Sequence, residues 1–386
     1  MASPIDLARA EASFAAATDY TVGLEEEFAL CDPGTLDLVP RFEELRDAAA
    51  QTDPLLHEAI TGELISSELE IVSGPGQDLH DAIGRQREAR RRLFALAAAR
   101  GVALGATGTH PFADYRAQRN IDTEHYRRVV DGLGYVARRN NTFSLHVHVG
   151  VRGADRAVRV CDRLRPVLPL LLAVSANSPF VDDRDAGLHS ARSTTFTRVF
   201  PRCGVPDAFG SWAAYAEYVD FLVRVHSIVE ITQLWWSVRP HLSYGTVEVR
   251  ICDAQSTAPE SEALAGLVVA CVAQAARDVD AAVPFVDPPG RLIEENLWRA
   301  MRYGLDATLV DLEAATEFPA AEVVERLATW TEPVRAELGI ELVAPERNGA
   351  QRQLAARAAG ADLREVFAGT VRETAESYGR QEVRIA

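Results

Sequence analysis

Four stretches of this sequence alternate apolar residues with carboxylates or histidines, and that period-two pattern restricts the fold more than any other feature. They are TVGLEEEFAL at 21–30, ELEIV at 68–72, SLHVHV at 144–149 and TVEVRI at 246–251. Successive side chains of a strand point to opposite faces, so each stretch predicts a strand with one apolar and one polar face. In the first, Val22, Leu24, Phe28 and Leu30 share a side with Glu26, while Gly23, Glu25, Glu27 and Ala29 share the other. Glu68 and Glu70 pair in the same way, as do His146, His148 and Gly150, and then Thr246, Glu248, Arg250 and Cys252. Val102–Thr107 adds a fifth strand.

Each stretch alone has a plain reading beside the chemical one. Two glutamates about 4 Å apart repel by about 4 kcal/mol at an effective dielectric near 20, which a solvated edge tolerates as well as a cation site does. A His-x-His strand is a metal pair or simply two core or surface histidines. Glu248 beside Arg250 is also what a surface ion pair looks like. Glu26 falls on the apolar side and is set aside as a ligand. Glu63 lies seven residues before Glu70, so a regular strand turns it to the opposite face; only a bulge or bend brings it in.

Taken together the stretches say more. A sheet with one face against helices and the other lined by Glu25, Glu27, Glu70, His148 and Glu248 gathers at least four negative charges, with Arg250 as the basic partner. Multivalent cations, or protonation, make such a face stable. Oxygen-rich ligation with a single histidine suits magnesium or manganese better than zinc, and such ions commonly serve phosphates.

Between the strands run long helical patterns at 77–100, 122–139, 154–176, 212–228 and 261–280, and after about 290 the pattern is helical to the end. The strands are spaced irregularly, unlike repeating βαβ units. The expectation is therefore an α+β fold, a largely antiparallel sheet with helices on its outer face and a helical C-terminal part. We expect one catalytic domain over 1–386, with residues 20–285 as the core carrying the site and 290–386 as the helical part. The Pro-rich VPFVDPPG at 283–290 is the candidate hinge.

Composition narrows the function. With 56 acidic against 40 basic side chains, a formal charge of −16, the chain is poorly suited to nucleic acid or anionic membranes. Five scattered cysteines, with no Cys-x-x-Cys pair, fit a reducing compartment. The first twenty residues show no leader pattern, and the longest apolar run, Val167–Val174, is too short for a bilayer and contains Pro169. The expectation is a cytoplasmic protein whose partners are small molecules; a homo-oligomer is left open.

The motifs GLEEEF at 23–28, ELISSELEI at 63–71, GTHPF at 108–112, HVHVG at 146–150, SARSTTF at 190–196 and WWSVRPHLSYGTVEVRICD at 235–253 resemble the carboxylate–amine ligases, also called type 2 glutamate–cysteine ligases. ENLWRAMRYGLDA at 295–307 is similar to that family's next helix. The resemblance implies a glutamine synthetase-like fold whose antiparallel sheet forms a funnel-like site. It implies that Glu25, Glu27, Glu63, Glu70, His148 and Glu248 hold magnesium ions, with manganese as a substitute, and that Arg250 meets the phosphoryl group transferred from ATP. Three departures stand out: Glu26 where relatives usually have an apolar residue, Ser144-Leu145 where some carry Gly-Gln, and a weaker match after about 310.

Such an enzyme joins a carboxylate to an amine, both amino acids by resemblance, glutamate and cysteine first. Hydroxide is a poor leaving group, so ATP must first convert the carboxylate to an acyl phosphate. Glu248 and Arg250 are the catalytic candidates, Arg250 stabilising charge on the phosphoryl oxygens. Candidates for binding substrate are His110, Arg192, Arg239 and Trp236. For Arg192 a solvated loop arginine, and for His110 a turn histidine, are the plain alternatives. Cys252 lacks a nearby base and reads as a small buried residue. The competing enzyme class is a metal-dependent hydrolase using His146 and His148 with a glutamate; a silent nucleotide-binding protein is a third possibility.

Overall fold

The computed structural model describes residues 5–379. The opening four residues of the leader reading lie outside them. In chain order the strands are β1 (Val22–Cys31), β2 (Ile60–Thr61), β3 (Glu68–Val72), β4 (Ala103–Gly105), β5 (Leu145–Gly150), β6 (Phe180–Val181), β7 (Arg184–Asp185), β8 (Cys203–Gly204), β9 (Trp235–Trp236), β10 (Val238–His241), β11 (Thr246–Val249), β12 (Thr308–Asp311) and β13 (Thr316–Pro319). Seven of them form one open antiparallel sheet in the order β10-β11-β5-β1-β3-β2, with β4 also paired to β1. The longest strand, β1, is central, and the others take their register from it.

Helices cover the apolar face. Val22, Leu24, Leu145, Val147, Val149, Val247 and Val249 are buried in one cluster with residues of the helices Ala154–Leu164 and Ala258–Asp280. Phe28, Leu30, Leu69 and Ile71 join a second cluster with Ala89, Leu93 and Ala97 of the helix Leu79–Ala99, and with Tyr378 of the helix Leu363–Gly379. At about 1.5–3 kcal/mol for each large side chain removed from water, this face fixes the register: a slip of one residue would bury the acids instead. The helix Leu79–Ala99 starts where Asp78 accepts a hydrogen bond from the Asp81 N–H at 2.8 Å, and Leu79, Ala82, Gln86, Ala89, Arg90, Leu93 and Ala97 face inward at steps of three or four.

Glu26 is the polar member of the packed face. Arg90 grips it through Nε and Nη2 at 2.7 and 2.6 Å, Gln86 donates at 2.9 Å, and Ser261 donates as well. At Gly150 a Cβ would run into the Thr18 carbonyl oxygen and Thr21 Oγ1, so only glycine lets the entry to β1 cross the end of β5.

Two of the helical patterns are interrupted. The 122–139 pattern breaks at Gly134, with φ at +56°, and 154–176 breaks at Arg165–Val167 around Pro166. The tail is not wholly helical: β12 and β13 form a hairpin, and Gly360, with φ at +105°, separates the helices Gly349–Ala358 and Leu363–Gly379. Among the described residues no helix is long and apolar enough to cross a membrane.

Candidate active site

The open face of the sheet carries the acids in a fixed register. One row across the strands runs Arg239, Glu248, His148 and Gly23; the neighbouring pairs are Glu25 with His146, Glu27 with Glu70, and Ala29 with Glu68. Above this face lies a cavity of about 250 Å³. Glu63 reaches it because β2 ends at Thr61, opposite Glu70, and the chain then bends before β3. That is the bend alternation required.

Three overlapping groups of side chains could each hold a cation. They are Glu25 with His148 and Glu248, Glu25 with Glu70 and His146, and Glu27 with Glu63 and Glu70, each offering ligand atoms within 4.8 Å of one another. Glu25 joins two groups because its Oε1 lies 3.0 Å from His148 Nε2 and its Oε2 3.0 Å from His146 Nδ1. Among the described residues, no such group takes both histidines. Glu26 belongs to none of them.

Electrostatics divide the acids in two. Burial works against the charge on Glu25, yet His148 and His146 hold its carboxyl well below the usual range. Glu248 is likewise held low against its burial by Arg239, Arg250 and His148. For Glu63, Glu68 and Glu70 the help is too weak: Arg250 or Arg192 opposes burial and the neighbouring acids without outweighing them. Burial, then Glu27, pushes Glu63 up to about 8; burial raises Glu68 and Glu70 well above the usual range, reinforced by Glu27 and Glu25 respectively. A buried oxygen of Glu68, Oε2, has no hydrogen-bond partner. His148 is raised, burial opposing and Glu25 and Glu248 prevailing, whereas burial and Arg250 lower His146. A hollow in which Glu63, Glu68 and Glu70 keep protons unless cations replace them fits divalent magnesium, and the oxygen-rich donor set fits it too.

Arg250 is a partner of Glu248 and lines the cavity, but it is not the sole base there. Arg239 forks onto Glu248, Nε to Oε2 at 2.6 Å and Nη2 to Oε1 at 3.2 Å, and its Nη1 donates to the Leu234 carbonyl. Arg239 also lines the cavity, so it reaches the site expected of it while Nε, Nη1 and Nη2 donate to Glu248 and the Leu234 carbonyl. Arg192 lines the cavity but is no solvated loop residue: 3% exposed, it donates to the carbonyls of Ile251 and Arg250, both at 3.1 Å. It sits just before Thr195–Val199, a turn of π-helix.

Two of the residues expected to bind substrate lie outside the cavity lining. His110 does not line the cavity: its ring lies 4.6 Å from Phe112 and 4.4 Å from Phe367, with Nε2 2.8 Å from the Leu36 carbonyl oxygen. Burial lowers it to about 4, so it is a neutral core histidine. Trp236 is buried against Phe209, Tyr215 and Tyr218, and Trp235 lines the cavity instead. β9 pairs in parallel with β8 in a ladder outside the main sheet, so the sheet's alternation does not decide between the two rings. Cys252 is fully buried, its thiol pushed by burial up to about 12.

The sequence reading leaves Glu68 and His146 out of the ligand set, although alternation already puts them on this face. Tyr126, Asn140 and Tyr244 also line the cavity, from loops and helix ends that carry no period-two signal.

A family model described as glutamate-cysteine ligase family 2 matches residues 21–375. A Rubrobacter xylanophilus protein, provisionally named glutamate–cysteine ligase 2-2, is 41% identical over 319 residues, covering 82% of this chain and 81% of that one. A Solibacter usitatus protein, provisionally named glutamate–cysteine ligase 2, is 36% identical over 366 residues, covering 93% and 94%. The crystal structure of the Francisella tularensis glutamate–cysteine ligase in complex with AMP superposes with a TM-score of 0.66 at 15% identity, covering 95% of this chain and 91% of that one, a likeness of fold.

Proposed function

Because the chain belongs to glutamate–cysteine ligase family 2, with residues 21–375 matching, we propose that it is an ATP-dependent ligase that joins the carboxylate of one amino acid to the amine of another through an acyl phosphate. The first substrates to test are glutamate and cysteine, which are the substrates in the names of its relatives. One observation carries the reading: three overlapping carboxylate-rich groups gather over one sheet face, with Arg250 on Glu248 beside them.

In this reading Glu25, Glu27, Glu63, Glu70, His148 and Glu248 would hold magnesium, which when bound would offset the negative charge of the phosphates. A substrate carboxylate oxygen attacks the γ-phosphorus of ATP, and the bond to the β-phosphate oxygen breaks to release ADP. The amine nitrogen then attacks the acyl carbon, phosphate departs, and the nitrogen loses a proton. Arg250 stabilises the charge on the moving phosphoryl group, and removing such a donor costs about 3–4 kcal/mol in the barrier. Glu248 holds Arg250 in place. Arg192 supports the site through the carbonyls of Arg250 and Ile251. A hydrolase built on paired histidines finds no support, because His146 and His148 belong to different ligand groups.

The test is phosphate release from ATP and magnesium over a matrix of amino-acid pairs, with Glu248→Gln in parallel. Release only when carboxylate and amine are both present, and its loss in E248Q, is expected. Release without an amine, or from no pair at all, would remove the reading.

A further inference from the structure

Among the described residues Tyr244 is the one aromatic ring lining the cavity that stands mainly in solvent, 66% exposed. It sits in the turn joining β10 to β11, where the Gly245 N–H donates to the His241 carbonyl at 3.1 Å. The turn is held: Gly245 has φ at +66°, and a Cβ there would stand 2.7 Å from the Ser13 carbonyl oxygen. The ring is stacked on His241, with centroids 4.3 Å apart and planes 11° from parallel. His241 in turn meets His148 edge-on at 5.2 Å, and His148 Nε2 lies 3.0 Å from Glu25 Oε1. Tyr244 also meets His148 edge-on at 5.8 Å, so the three rings form one cluster between Glu25 and the rim, with His241 on one face of Tyr244 and most of the residue in solvent.

We propose that the purine ring of ATP stacks on the face of Tyr244 away from His241 while its triphosphate reaches down to the carboxylate floor; this rests on the ligase reading above. A stacked, turn-braced ring is fixed in advance, so little freedom is lost when a second flat ring settles on it. The floor demands the charged part of a ligand, through cations, and Tyr244 at the rim offers a flat face. A nucleoside triphosphate has both parts in that order. An amino acid with a small side chain has no flat surface to place there. Base-on-aromatic stacking tolerates any base, so the contact sets affinity rather than a choice of nucleotide.

Calorimetric titration with ATP and with inorganic tripolyphosphate, both with magnesium, separates the base from the phosphates. For Y244A the Kd for ATP is expected to rise about tenfold, as loss of one stacked base implies. The Kd for tripolyphosphate should stay within about twofold, and Y244F, which keeps the ring, should bind ATP nearly as the unaltered protein does. ATP affinity unchanged in Y244A overturns the stacking site while leaving the ligase standing, and so does equal weakening toward both ligands. If the unaltered protein binds neither ligand, the ligase reading fails and this inference falls with it.

Discussion

Arg239 holds Glu248 by a two-pronged contact, Nε to Oε2 at 2.6 Å and Nη2 to Oε1 at 3.2 Å, across adjacent strands of the main sheet. Both side chains are buried, at 8% and 1% exposure, so the pair is shielded from water. Arg239 thereby aims Glu248 at His148 and Arg250, and Arg250, 16% exposed, is the more open of the two arginines.

Removing Arg239 takes away one of the two arginines on Glu248, and loss of a partner from a buried pair costs up to about 3–5 kcal/mol. R239A is expected to lose stability on that scale in calorimetry. R239K should fall short of rescue, because an ammonium cannot grip both carboxylate oxygens. A loss under about 1 kcal/mol in R239A would show that Glu248 is held by other contacts.

The raised carboxyls give a pH dependence with a definite sign. Unfolded glutamates titrate near about 4.3, whereas folded Glu63 is pushed up to about 8 and Glu68 and Glu70 also lie high. Between those values the folded chain binds more protons than the unfolded one, so metal-free stability falls as pH rises from about 4.3 to about 8. Glu25 and Glu248 shift the other way, and their contribution is lost only as pH falls through and below the usual carboxylate range. Cations displace the retained protons, so magnesium should raise the Tm more at pH 8 than at pH 6. Thermal melts with magnesium and with chelator at both values check this; an equal gain at both would show that these acids carry no extra protons.

Much of this site was legible because alternation depends only on the strand's own geometry. Glu25, Glu27, Glu70, His148 and Glu248 could be put on one face before any coordinates, and Glu26 on the other. Pairings between elements far apart in sequence were not legible. Nothing local in SVRPH says that Arg239 will lie opposite Glu248, and nothing in EARRR says that Arg90 will meet Glu26, 64 residues away. The places of His110 and Trp236 are not legible for the same reason: a histidine before proline and the second of two tryptophans carry no periodic signal, and only packing decides which ring enters the core. The helix breaks at Gly134 and Gly360 depend on a positive φ, which glycine permits but does not dictate.

The two tryptophans should separate folding from function. Trp236 is 6% exposed within an aromatic cluster, and W236A is expected to lose about 3–5 kcal/mol of stability. Trp235 faces the cavity and touches Phe200 at 5.5 Å between centroids, so W235A should chiefly raise the KM for a substrate. Melting curves and saturation kinetics on both variants decide it. A KM change confined to W236A would return Trp236 to the site.

The departure at Glu26 leads to the last prediction. The rest of its face is apolar, and a leucine there would suit the surrounding Leu24, Phe28 and Ile71. The glutamate is kept by Arg90, which binds both its oxygens, contacts Glu262 at 2.7 Å and lies 4.8 Å from the centre of the Tyr378 ring. Buried pairs seldom add net stability over well-packed apolar residues, but breaking one is costly. E26L alone, and R90M alone, should each destabilise by about 3–5 kcal/mol, because each strands a buried charge. The double variant E26L/R90M should be less damaged than the sum of the two, with a coupling of about 1–3 kcal/mol in a double-mutant cycle. Additive losses would mean that Glu262, Gln86 and Ser261 satisfy the two charges separately, and that Arg90 is held for its packing on Tyr378 rather than for Glu26.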